Sequence, residues 1–240
     1  MTYSDRNKTL YTKIWKVKKP RSHTYWITWE RYKMLIPKNQ PKLLGIGCGI
    51  RPKIPVEGSY FIDLSQPALS TLEKFGGICH CGSATTLPYD SNFFDFVSAS
   101  EVLEHIEDDV KVISEVNRTL RSGGYFGITV PLHMRHWSSF DESVNHVPRY
   151  DPGELCQKFT EAGFTLDTFL PTYPTTSKIY KKLASFMLKH APNTGTFIEE
   201  KVSLPIGNLF QSLKKNSWLQ NDFQNKLQNA TGVIAVFQKI

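Results

Sequence analysis

A short apolar run that breaks into closely spaced glycines constrains this chain more than any other feature. Leu43-Leu44-Gly45-Ile46 leads into Gly47-Cys48-Gly49, and sixteen residues after Gly47 a second apolar run, Tyr60-Phe61-Ile62, ends in Asp63. Glycine tolerates positive φ and carries no Cβ, so a strand entering such a turn lets a ligand press against the main chain. In a doubly wound α/β sheet, ligands bind at the carboxyl ends of the strands, near the point where the strand order reverses. An acid at the end of the second strand can take both hydroxyls of a ribose. The pairing of turn and acid points to an α/β fold that holds a nucleoside-containing cofactor.

Further segments follow in a telling order. They are Gly82-Ser83-Ala84-Thr85-Thr86-Leu87-Pro88-Tyr89, Asn92-Phe93-Phe94-Asp95-Phe96-Val97, Ser100-Glu101-Val102-Leu103-Glu104-His105-Ile106, Leu120-Arg121-Ser122-Gly123-Gly124-Tyr125 and Val130-Pro131. With the glycine turn, this series resembles the class I S-adenosylmethionine (SAM) methyltransferases. The likeness is to the type-11 domain group, which includes ubiquinone and menaquinone C-methyltransferases, and it covers roughly residues 42–170. It implies a Rossmann-like three-layer α/β sandwich with a seven-stranded, mostly parallel sheet, and SAM as cofactor. Carried over residue by residue, Gly47, Cys48 and Gly49 approach the methionine part by main chain. Asp63 holds the ribose, and Ser83 and Ala84 lie near the adenine. Gly45, Leu64, Ser100 and Glu101 complete the implied cofactor set.

The chain departs from the family pattern in places. The family usually has an acid at the position of Gly45, which helps hold the methionine amine, and a third glycine where Arg51 stands. Pro52 and Pro55 do not support a helix interior, so a loop is expected where the family has a helix. Ser83 occupies the place of an Asp that often reads the adenine amino group.

Residues 101–105 have metal-ligand spacing. On a helix, Glu101, Glu104 and His105 would share one face, and His146 could complete a set of carboxylates and imidazoles. E-x-x-E-H with a later His is similar to metal-dependent O-methyltransferases of ubiquinone synthesis and of small-RNA 3′ ends. E-V-L-E-H is also widespread in type-11 domains that use no metal. The expectation is therefore no metal, activity that survives a chelator, and His105 and His146 as candidate catalytic bases.

The 240 residues suit one domain with additions: a basic, aromatic helical cap over 1–41, then a methyltransferase domain over 42–240 with an insertion at 171–229. Tyr25, Trp29, Tyr32 and Ile36 fall on one helical face before Pro37 and predict an N-terminal helix lying over the pocket. Ile179, Leu183, Phe186 and Met187 predict an amphipathic helix in the insertion. The chain has no apolar run long enough to span a bilayer and no apolar leader. Its four cysteines form no disulfide framework, and Cys79-His80-Cys81 lacks zinc-site spacing. Reduced thiols in a cytoplasm are expected.

The net charge of +7 is uneven: residues 1–42 hold 11 Lys/Arg against 2 Asp/Glu, and residues 43–171 hold 9 against 17. Basic segments flanking an acidic platform point to an anionic acceptor or an anionic membrane surface, or to lysines that are simply solvated. Nucleic acid is a weaker fit. The function expected is methyl transfer from SAM to a small or lipid-like acceptor. A metal-assisted O-methyltransferase and a non-catalytic scaffold on the same fold are the alternatives.

Overall fold

The computed structural model describes residues 20–173 and 218–240. The helix expected around residues 178–189 lies outside them. The seven strands are β1 (Leu43–Ile46), β2 (Tyr60–Asp63), β3 (Ile78–Cys81), β4 (Phe94–Ser100), β5 (Leu120–Pro131), β6 (Phe164–Thr172) and β7 (Gly232–Lys239). They form one sheet in the order β3-β2-β1-β4-β5-β7-β6. Pairing is parallel from β3 through β5, while β7 runs antiparallel to both β5 and β6. The order reverses between β1 and β4, and the glycine turn after β1 lies there. This is the expected Rossmann-like α/β sandwich.

Among the described residues the helices are α1 (Ile27–Leu35), α2 (Gln66–Glu73), α3 (Asp109–Thr119), α4 (Ser139–Ser143), α5 (Pro152–Glu161) and α6 (Phe223–Leu227). Sequence signals explain their ends. The Asp108 side chain accepts the Lys111 amide at the start of α3, and Asp151 accepts the Gly153 and Glu154 amides where Pro152 opens α5. No helix follows β1 before β2, as Pro52 and Pro55 require.

Several sequence expectations shift in detail. The N-terminal helix begins at Ile27, so Tyr25 belongs to a separate single turn, His23–Tyr25, and Ile36 is already extended. In α3, Val112, Ile113 and Val116 are buried against the sheet, whereas Val110 is exposed. Gly123 lies within β5. Glu101 to His105 form no α-helix. Glu101 has φ of 55° and ends β4, and Leu103–His105 make one 3-10 turn.

The core divides by sheet face. One face packs Phe126, Phe159, Phe164, Val112, Ile113 and Val116 under α3 and α5. The other packs Tyr32, Phe61, Phe96, Leu69, Leu72 and Val236 under α1 and α2. Tyr32 is fully buried, with its ring 4.6 Å from that of Phe96. The N-terminal helix is thus a structural layer on the sheet as well as a neighbour of the cofactor edge.

The Phe61 ring lies over the backbone of Gly45 in β1. A Cβ there would lie 2.7 Å from the Phe61 ring, and Phe61 is fully buried. The absent acid therefore has no room. Gly45→Asp is expected to destabilise the fold by at least about 2 kcal/mol through overpacking and a buried charge. A lowered urea midpoint, partly restored by Phe61→Val, is the check.

Candidate active site

The carboxyl ends of β1, β2 and β4 meet around the glycine turn. Gly47 and Gly49 both adopt left-handed φ, at 58° and 53°, which bends the chain sharply out of β1. The Gly47 amide donates to Ile62 O at 2.8 Å, tying the turn to β2. Asp63 fastens it a second time. One carboxylate oxygen accepts the Gly49 amide at 2.9 Å, and the other accepts the Ser65 amide at 2.8 Å. Burial raises the Asp63 pKa, while these amide bonds favour the carboxylate. The acid that the sequence assigned to a ribose is also a structural clasp.

Beside the turn stands a group the sequence did not single out. Lys53, partly covered by the N-terminal segment, places Nζ 3.0 Å from the centroid of Trp26. Burial, then the neighbouring Arg51 charge, draws its pKa down to about 7. The Glu101 charge opposes that shift, and the indole face also favours the ammonium form. The Arg21 amide donates to Ile50 O at 2.9 Å, so residues 21–26 close over the loop that carries Arg51 and Lys53.

The donor set suits SAM. Asp63 and Glu101 offer carboxylates for hydroxyls and an ammonium group, Arg51 and Lys53 offer cations for a carboxylate, and the glycine turn permits close approach. The structure brings Gly47, Cys48, Gly49, Asp63, Leu64, Ser100 and Glu101 to this edge. Gly45 is set back inside β1. Ser83 caps its own turn through Thr85 at 2.8 Å, and Ala84 is buried in the core cluster.

Across the β4 end, two loops are stitched together. The Val147 amide donates to Glu104 O at 2.7 Å, and the His105 Nδ1–H donates to Asn145 O at 3.1 Å. This brings His105 and His146 together, with ring centroids 4.6 Å apart. Burial, then the charge of His146, lowers the His105 pKa to about 4, so its imidazole is neutral near pH 7. His146 Nδ1–H donates to Asp141 Oδ1 at 2.9 Å. Asp141 also accepts Arg149 at 2.8 Å and, through its other oxygen, the Ser138 amide and hydroxyl. Burial pushes the Asp141 pKa up, but the His146 and Ser138 hydrogen bonds and the Arg149 charge outweigh it and hold it well below the usual carboxylate range. Asp141 was missed by sequence reasoning; its signal was the Ser138-x-x-Asp141 cap, which reads as a helix start only.

Comparison with known proteins agrees with this geometry. Residues 44–128 match the family model described as a methyltransferase domain, Methyltransf_11. An uncharacterized methyltransferase of Schizosaccharomyces pombe is 31% identical over 119 residues, which span 41% of this chain and 42% of the relative. A probable S-adenosylmethionine-dependent methyltransferase of Mycolicibacterium smegmatis is 29% identical over 38% of this chain and 37% of its own length. These matches cover less than half of the relatives' length. The crystal structure of a putative sarcosine dimethylglycine methyltransferase from Galdieria sulphuraria superposes with a TM-score of 0.62 at 15% identity, covering 99% of this chain and 98% of that one. The glycine turn clasped by Asp63 thus lies within a segment that matches a methyltransferase domain of the type-11 kind, on a fold shared with solved SAM-dependent methyltransferases.

Proposed function

We propose that this chain transfers the methyl group of SAM to a small or lipid-like acceptor. The observation that carries this reading is the left-handed glycine turn at the strand-order reversal, locked to β2 by Asp63 and ringed by Glu101, Arg51 and Lys53. SAM supplies a sulfonium-activated methyl group, so positioning does most of the work. The chain's own residues bind and orient. The turn and Asp63 hold one end of the cofactor, Glu101 and Lys53 hold charged groups beside it, and residues 21–26 exclude water. His105 and His146 face the acceptor side. The Asp141 bond to Nδ1 fixes the His146 tautomer, so a proton from an acceptor hydroxyl would be received at Nε2.

The basic flanks support an acceptor with a negative group, since they adjoin an acidic platform. Residues 1–41 and the insertion 171–229 are the natural source of acceptor specificity, because the sheet edge itself is a common platform. Among the described residues, no helix is long and apolar enough to cross a membrane.

Calorimetry with S-adenosylhomocysteine tests the cofactor half of the proposal, and one-to-one binding is expected. A screen of labelled SAM against quinones, phenols, amines and anionic lipids tests the other half. Absence of binding in the folded chain would favour a scaffold that kept the fold.

A further inference from the structure

We propose that Glu104, His105 and His146 form a binding site for one divalent first-row transition-metal ion. The site shares His105 and His146 with the candidate bases of the methyl-transfer reading, so that a bound ion would take the place of a free imidazole base there, and it reverses the metal-free expectation drawn from sequence. Glu104 is fully buried, and neither of its carboxylate oxygens has a hydrogen-bond partner among the described residues. The Glu101 carboxyl approaches it, and Arg149, which pairs with Asp141 and donates to Thr231 O, acts on it electrostatically without a hydrogen bond to it. A buried carboxyl must either protonate or meet a cation. In the empty site Glu104 can keep a proton shared with the Glu101 carboxyl, while His146 Nε2 lies 3.9 Å from Glu104 Oε1, beyond a direct hydrogen bond but within reach of two ligands on one ion. A cation between them satisfies both groups.

One ligating atom each from Glu104, His105 and His146 lies within 4.8 Å of the other two. Bonds of about 2.1 Å to a shared ion need ligand separations of roughly 3.4 Å, reached by small side-chain rotations. The surrounding hydrogen bonds are those that orient metal ligands. His146 donates from Nδ1 to a carboxylate, His105 donates from Nδ1 to a main-chain carbonyl, and Asp141 is itself clamped by Ser138 and Arg149. The Val147–Glu104 main-chain bond keeps the two ligand-bearing loops together before any ion arrives. Two imidazoles with one carboxylate favour Mn, Fe, Co or Zn over Mg and Ca, which prefer all-oxygen shells.

Mn²⁺ is the appropriate probe, because Zn²⁺ would also be drawn to the thiols of Cys79 and Cys81 on the β3 edge. The full chain, stripped with EDTA, is titrated with Mn²⁺ and followed by electron paramagnetic resonance and by thermal melting. One equivalent should bind and raise the melting temperature. Glu104→Gln and His146→Gln should each weaken binding at least a hundredfold. Asp141→Asn, which removes the carboxylate that orients His146 and pairs with Arg149, should weaken it about ten- to a hundredfold. If Glu104→Gln does not fold, His105→Gln replaces it with the same expectation. S-adenosylhomocysteine calorimetry on the same samples separates this result from the cofactor reading. Absence of stoichiometric Mn²⁺ binding, or affinity unchanged in the folded His146→Gln and His105→Gln variants, overturns the proposal.

Discussion

Replacing Asp63 with Ala is expected to lower S-adenosylhomocysteine affinity by roughly tenfold to a hundredfold and, unlike a loss of ligand contact alone, to lower stability as well. The sequence accounts for the first effect: a charge-assisted hydrogen bond to a ribose is worth about 1.5–3 kcal/mol. The structure adds the second. Asp63 accepts the Gly49 amide and the Ser65 amide, so the substitution leaves two main-chain donors at a partly covered site without their acceptor. Calorimetry and urea denaturation on the same protein separate the two effects. Asp63→Asn is informative because its carbonyl can serve one amide while its NH2 opposes the other; it should fall between wild type and Ala on both axes. Wild-type affinity in a folded Asp63→Ala would remove this residue from the site.

A larger loss of stability is expected from one added methyl group far from any ligand. Gly127 lies in the middle of β5, paired with Ser98 on one side and Val236 on the other. A Cβ there would sit 2.5 Å from the Tyr32 hydroxyl oxygen and ring carbon. Tyr32 is fully buried between Phe96 and Val236 and has nowhere to move. Gly127→Ala should therefore cost about 3 kcal/mol or more, a drop in melting temperature of roughly 6–12 °C for a chain of this size. Tyr32→Phe removes only one of the clashing atoms and should not rescue it. Tyr32→Leu should rescue in part, with the double variant more stable than the sum of the single effects. Strictly additive losses would show that the two residues do not collide.

Much of the frame was legible in the sequence because it rests on local chemistry. The glycine turn, the Asp63 terminus, the Asp108 and Asp151 caps and the loss of a helix at Pro52 and Pro55 are each set by a few adjacent residues. What the sequence hid depends on contacts between distant segments. Glu101 to His105 read as a helical face by spacing, yet the left-handed Glu101 and the single turn after it break that face. Glu104, His105 and His146 still converge, because the Val147 amide docks on Glu104 some forty residues away. Asp141 looked like an ordinary helix cap and Lys53 like a loop cation; only the fold gives one an imidazole and the other an indole face.

The burial of Tyr32 also sets a timetable for synthesis. Its helix is made before the sheet, but the residues that enclose it come from β4, β5 and β7, all later in the chain. Until β7 inserts between β5 and β6, this tyrosine has no finished cavity to enter. The loop over which residues 21–26 close depends on the same docking. Folding of the cofactor edge therefore waits for β7, and a nascent chain stalled before residue 232 should remain open to protease around residues 21–35.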